Sequence, residues 1–326
     1  MIANGTVSGG QGGTAGGTSR SLVLTPLEDL KGFLSLHLGR FALFLLACSS
    51  VLLVFLIFVF VVQEAVPFFA KFSTVEFLAN ARWYPEADPP EFGALSLIVG
   101  SLYVTITSLI LAVPVGILAA VFLSDMVSLR TRDLVKPVVE ILAAIPSVAY
   151  GFFAVLVLAP AMQSRWGFST GTNILNASIV LSIMALPTII SVAEDSISAV
   201  GRDLREASYS LGATRFETIL RVVMPAAHSG IIAAVILGMM RAIGETMVVW
   251  MASGNAARIP SPWWDLSQSV RTMTATIAGD MGETPKDSSH YWSLFAIGVV
   301  LLMMTFMLNI VSEYFLAAAK RRTGKV

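Results

Sequence analysis

Apolar and polar positions in this chain fall into long blocks, not into the short alternation of half-buried strands. Residues 41–62, 93–123, 141–163, 174–193 and 291–312 hold no charged side chain, and 225–250 is equally apolar except for Arg241 and Glu245. A helix needs about 20 apolar residues to cross the hydrocarbon of a bilayer. Each block meets that length, so the pattern predicts six membrane-crossing helices. One such block could be the buried core helix of a soluble domain, but six in 326 residues argue for a membrane.

The flanks are read differently. Residues 1–39 are polar, and a Gly/Ser/Thr-rich tract to about Ser21 is too poor in apolar groups to fold, so this segment reads as a disordered tail. The first block follows that long head without an obvious small-residue cleavage site, unlike a signal peptide. The expected organisation is a tail over 1–39, a transmembrane domain over 40–319 and a short basic end over 320–326.

Prolines interrupt several blocks: Pro114 in the second, Pro146 and Pro160 in the third, Pro187 in the fourth. Each removes a backbone donor and frees a carbonyl that needs protein or water as partner. Ordinary kinked packing is one reading; bent helices around a pathway are the other. The segment AAIPSVAYGFFA gathers Pro146, Ser147, Tyr150 and Gly151 and is the best candidate for a gate.

Composition agrees with the blocks. Hydrophobic residues make up 56% and charged residues only 13%, too few to cover a globular surface with polar groups. Mean hydropathy is +0.78. The single cysteine, Cys48, can form no internal disulfide, the three histidines are far apart, and no metal or cofactor motif is present. A net charge of zero gives no reason to expect a nucleic-acid partner. Its distribution is informative. With the N-terminus inside, the segments between blocks place basic residues such as Arg130, Arg132, Lys136, Arg202, Arg205, Arg215 and Arg221 inside, and fewer, such as Lys71, Arg82 and Arg258, outside. That asymmetry favours both termini in the cytoplasm.

Between the fourth and fifth blocks lies DLREASYSLGATRFETILRVVMP, residues 203–225. Asp203 with Glu206, and Thr214 with Glu217, have the spacing of a helix N-cap with an acid three residues on. Gly212 stands between them, where a left-handed helix end favours glycine. Leu204, Ala207 and Leu211, then Phe216, Ile219, Leu220 and Val223, give each half an apolar face. Two short helices hinged at Gly212 are expected, either lying on the membrane surface or meeting a partner. The run Glu206-Ala207-Ser208, three residues, Gly212, nine residues, then Val222-Val223-Met224-Pro225 resembles the EAA loop of permease subunits of bacterial ABC importers. Ser208, Val222 and Met224 depart mildly from that pattern. The resemblance implies that Glu206, Ala207, Gly212 and Pro225 couple to an ATPase subunit. The chain has no G-x-x-x-x-G-K-[ST] sequence, so any ATP is hydrolysed elsewhere and this subunit is not itself an enzyme.

Arg241 and Glu245 are four apart, which on one continuous helix puts them on the same face. Ionisable groups at membrane depth cost about 2.5–3.5 kcal/mol each and face a bundle interior or a wet path. A self-neutralising pair that only fixes packing is the alternative. The run Arg241-Ala242-Ile243-Gly244-Glu245-Thr246-Met247, with IPSVAYGFFA, resembles phosphate-specific ABC permeases of the PstC type more than their PstA-type partners. The resemblance implies an all-α, six-helix permease of the type I, MetI-like architecture in the bacterial inner membrane. It also implies a PstA-type partner permease, two ATPase subunits, a periplasmic or lipid-anchored phosphate-binding protein, and phosphate passing Arg241, Glu245 and Thr246. A proton-coupled secondary transporter, a membrane scaffold and an ABC permease for another oxyanion are the rivals. The first two leave the EAA spacing unexplained.

Overall fold

The computed structural model describes residues 26–322; the Gly-rich tract expected to be a tail lies outside the described residues. Helix α1 (Pro26–Lys71) begins inside the expected polar head. The chain divides into two compact units at Phe58–Val59. The described part of the first is helix alone, with apolar side chains such as Phe41, Leu46, Leu52 and Phe55 exposed. A helix apolar on every side suits hydrocarbon.

In the second unit α1 ends and is followed by α2 (Thr74–Ala79) and a small antiparallel hairpin, β1 (Trp83–Tyr84) with β2 (Glu91–Phe92), in which Trp83 stands opposite Phe92. Then come α3 (Leu95–Val121), α4 (Leu129–Ala144), α5 (Ser147–Phe153), α6 (Ala159–Trp166), α7 (Ile174–Ser198), α8 (Arg202–Ser210), α9 (Arg215–Thr218), α10 (Met224–Ile243), α11 (Met247–Ala252), α12 (Met273–Asp280) and α13 (Ser289–Arg322). Single π-helical turns at Phe122–Met126, Ala154–Leu158 and Ile219–Val223 join neighbouring pieces without a loop. Among the described residues, six helical stretches are long and apolar enough to cross a membrane: His37–Lys71, Leu95–Met126, Ser147–Trp166, Ile174–Ser198, Arg215–Ile243 and Ser289–Ala318.

Two blocks differ from expectation. Residues 141–163 are not one helix: Ile145 is extended (φ −65°, ψ 128°) and a new helix starts at Ser147. Proline clashes with a helical residue before it, so Pro146 forces Ile145 out of the helix. Residues 225–250 break as well, because α10 stops at Ile243 and α11 starts at Met247. By contrast Pro114 and Pro187 lie within α3 and α7, which continue through them.

Helix α7 is the centre of the unit. Ser178 Oγ donates to the Val104 carbonyl (3.3 Å), Gly116 faces Ile189, and Ser124 and Ser198 hydroxyls meet at 3.1 Å. Both hydrogen bonds join residues 74 apart, so α3 from Val104 onward and the turn after it run parallel to α7. Helix α10 runs the other way, with Gly230 against Ser196 and Gly238 against Ile189. A Cβ on Gly116 would stand 2.7 Å from Ile189 Cγ2, and one on Gly238 would stand 2.6 Å from Ile189 Cγ1. Lipid tails are as apolar as leucine, so helices in a bilayer gain from such close backbone approach.

This contact predicts that Gly238→Val destabilises the bundle by about 1–3 kcal/mol through overpacking, read as a lower unfolding temperature in detergent. Adding Ile189→Ala should recover part of the loss. An unchanged unfolding temperature for Gly238→Val would show that the helices are not held at this distance by Ile189.

Candidate substrate path and docking element

The depth of each broken helix can be read against α7. Near one end of α7, Glu194 meets Lys136 of α4 (2.9 Å); near the other, Asn176 Nδ2 donates to the Ala154 carbonyl just past α5 (3.1 Å). The 18 residues between 176 and 194 cover about 27 Å. The pieces α4 and α5 therefore lie antiparallel along α7, and the Ile145–Pro146 break falls near its middle. Helix α10 passes Ile189 at Gly238, three residues before Arg241. The second break, Gly244 to Thr246, lies on the same central stretch.

The two breaks are packed together. Tyr150, Ala242, Val248, Val249 and Ala252 share one buried cluster with Val180, Leu181 and Met184 of α7. Gly151 lets α5 close on Met251 of α11, whose sulfur would be 2.5 Å from an added Cβ. The Tyr150 hydroxyl donates to the Leu142 carbonyl at the end of α4 (2.9 Å), and Tyr150 packs in the same buried cluster as Ala242, which follows Arg241. Pro146, the N-cap residue of α5, and Ser147, its first residue, stand at the break itself. Of the residues proposed from sequence, Pro146, Ser147, Tyr150, Arg241, Glu245 and Thr246 thus belong to one pair of facing interruptions.

Arg241 and Glu245 do not share a helix face. Helix α10 has ended before Glu245, whose Oε1 accepts from the backbone N–H groups of Met247 (3.2 Å) and Val248 (3.4 Å). An acceptor at this place satisfies donors that a helix start leaves orphaned, which stabilises the break that separates the two charges. Thr246 is outside both helices, its hydroxyl 3.5 Å from the Gly244 carbonyl, and Thr274 of α12 donates to the Glu245 carbonyl (3.0 Å). Arg241 is exposed and has no ion-pair partner among the described residues. Its guanidinium is a planar fork of donors suited to an oxyanion.

The helix pair around Gly212 is partly as expected. Gly212 has φ +84°, and Thr214 with Glu217 forms a full capping box: Thr214 Oγ1 accepts from the Glu217 N–H (3.3 Å) while Glu217 Oε2 accepts from the Thr214 N–H (2.9 Å). Two details differ. Asp203 is not an N-cap: α8 is preceded by Gly201, and Asp203 lies within its first turn. The second helix is not a separate short piece, because α9 passes through a π-helical turn into α10, with Pro225 two residues beyond that turn. Glu206 and Ala207 are exposed, as are Leu204, Tyr209, Phe216 and, at 90%, Leu211.

An ion cluster beside this element was missed from sequence. Arg205 of α8 pairs with Asp125 and donates to the Ile197 carbonyl (2.8 Å). Glu194, 1% exposed, pairs with Arg132 and Lys136, and Lys136 also reaches Asp195 (2.8 Å). The available signal was local: Arg132 and Lys136 are four apart on α4, and Glu194-Asp195 closes the fourth apolar block. At the other end of the bundle Arg271 and His290 flank Asp280. Burial pushes the Asp280 carboxyl up, but the neighbouring His290 imidazole and the Arg271 guanidinium outweigh it and hold it below the usual carboxylate range.

Six crossings, two facing mid-span breaks and an exposed apolar helix pair beside basic residues define a multi-pass membrane protein built around an interrupted centre. The chain belongs to the family described as binding-protein-dependent transport system inner membrane component, which matches residues 112–325. It is 40% identical over 242 residues to a probable ABC transporter permease protein, YqgH, of Bacillus subtilis, covering 74% of this chain and 77% of that one. It is 34% identical to the phosphate transport system permease protein PstC of Mesorhizobium japonicum, covering 76% and 80%. Similarity to the PstC of Mycobacterium leprae is 33% identity over 78% and 85%. Among solved structures, the inward-facing MetNI methionine ABC transporter aligns with a TM-score of 0.53 at 17% identity, over 68% of this chain and 93% of that one. The fold is therefore the MetI-like one anticipated from the sequence.

Proposed function

We propose that this chain is the PstC-type permease subunit of an ATP-driven importer of inorganic phosphate in the bacterial cytoplasmic membrane. The observation that carries the reading is Arg241: an exposed guanidinium, without a carboxylate partner among the described residues, at a mid-span break and next in sequence to Ala242 of the cluster that holds Tyr150. A cation at that depth is costly unless it serves a wet path. The phosphate permeases among its relatives support phosphate as the anion.

The partners follow from the same reading. A PstA-type permease completes the path, two ATPase subunits dock on the element around Glu206, Ala207, Gly212 and Pro225, and a periplasmic or lipid-anchored binding protein delivers phosphate. Hydrolysis of ATP resides in those ATPase subunits, and this chain contributes transmembrane passage. Both termini lie in the cytoplasm. A secondary transporter would have no use for the exposed pair α8 and α9.

Within the path, Arg241 attracts any tetrahedral oxyanion, and Glu245 discriminates. One Glu245 oxygen is committed to the start of α11. The other, as an acceptor only, takes a hydrogen bond from a phosphate hydroxyl and repels sulfate, which carries no proton near neutral pH. Thr246 offers a hydroxyl beside it. The segment Pro146, Ser147 and Tyr150 acts as the gate.

Competitive uptake of phosphate against excess sulfate in the assembled transporter tests the assignment. Glu245→Gln keeps a carbonyl for the α11 cap but places an amide donor at the other position, so phosphate flux should persist with its preference over sulfate lost. Arg241→Ala should abolish uptake, and Arg241→Lys should reduce it less because a point charge remains. Unchanged selectivity in Glu245→Gln would leave Glu245 only its capping role.

Orientation is read separately, with an impermeant thiol reagent on intact cells. A cysteine at Asp88 or Trp264 should label and one at Arg132 or Arg215 should not. The reverse pattern would place the docking element on the wrong side for an ATPase.

A further inference from the structure

Glu194 has no part in the path described above, yet it is the most thoroughly paired buried charge among the described residues. Its side chain is 2% exposed; Lys136 Nζ lies 2.9 Å from Oε2, Arg132 pairs with Oε1, and Ser198 Oγ donates to Oε1 (2.9 Å). Ser198 in turn meets Ser124 at the end of the second crossing. Both cations come from α4, one turn apart on the same face. A buried carboxylate held this way resists loss of either partner, because removal leaves an uncompensated charge.

Helix α4 runs from Leu129 to Ala144, so it extends about 14–20 Å from Lys136 and Arg132 to the mid-span break at Ile145. At its far end the Leu142 carbonyl accepts from the Tyr150 hydroxyl, and Tyr150 shares a buried cluster with Ala242, the residue after Arg241. At its near end, one turn along α7 from Glu194, the Ile197 carbonyl accepts from Arg205 of the docking helix α8. One turn of α7 therefore anchors both the docking helix and the helix that ends beside the phosphate path.

We infer that Glu194 is a positioning residue for transport: its ion pairs with Arg132 and Lys136 make α4 a strut that carries movement of α8 to Tyr150 and so to Arg241. The inference rests on the proposed function.

The test uses the complete transporter in proteoliposomes and measures phosphate imported per ATP hydrolysed. Glu194→Gln should assemble and still hydrolyse ATP, while the ratio falls by about fivefold or more, the size of an ordinary coupling energy. Glu194→Asp should recover part of it. A triple neutral variant, Arg132→Gln with Lys136→Gln and Glu194→Gln, removes the buried charge together with its partners and should show the same fall even if the single variant assembles poorly. Spin labels on exposed Asp133 of α4 and Tyr209 of α8 give a second readout that a merely structural role would not move. Their separation should stay constant on ATP binding in the unaltered background and change in the neutral variants. Equal transport ratios, or label distances indifferent to the triple substitution, overturn the inference. Absence of phosphate uptake by the wild type would instead count against the functional reading, and the label distances would still decide the strut.

Discussion

The rest of this structure depends on one constraint: inside hydrocarbon, every backbone polar group must find its partner within the protein or in enclosed water. Unbroken helices meet it with their own backbone, and α7 does so except for the donor that Pro187 lacks. Helix interruptions meet it only where something else supplies donors and acceptors. Here the interruptions after α4 and after α10 are both partnered: Glu245 takes the first donors of α11, Thr274 reaches the Glu245 carbonyl, and the Tyr150 hydroxyl takes the Leu142 carbonyl. The two breaks are affordable because they face each other, and facing each other they leave a polar spot at the centre of an apolar bundle.

The charges obey the same logic at a higher stake. At one end of the bundle Glu194, Asp125, Arg132, Lys136 and Arg205 neutralise one another across four elements of the chain. Arg241 is treated differently, with an exposed guanidinium and no carboxylate partner among the described residues. The buried carboxylates Glu194 and Asp125 each face a cation, whereas Arg241 is left available, and an anion in transit is the occupant that its donors suit. Close packing at Ile189, where glycines of α3 and α10 converge, keeps the helices bearing these groups in register.

The sequence shows these features unequally, and the reason is range. The six crossings were legible because each depends on its own composition. Gly212 and the Thr214–Glu217 capping box were legible because their partners are three residues away or nearer. Pro146 signalled a break, though not that Ile145 would be the extended residue. The spacing of Arg241 and Glu245 misled: a four-residue interval suggests a shared helix face, whereas Glu245 spends one oxygen on capping the next helix. Asp203 misled similarly, since Gly201 already begins α8. The ion pairs of Glu194 reach 58 or more positions back, so the local spacing of Arg132 and Lys136 shows two cations on one face but not the carboxylate they meet.

The central claim, that the break after α10 opens onto water, is tested most directly at Gly244, which is exposed and has room for a side chain, with only the Met240 carbonyl nearby at 3.5 Å. The measurement is the reaction rate of Gly244→Cys with a charged, membrane-impermeant thiol reagent in the assembled transporter, compared with Leu118→Cys on the exposed apolar face of α3. The account predicts that the cysteine at 244 reacts, that phosphate slows it, and that the one at 118 stays unreactive. Equal inertness at both positions would contradict it.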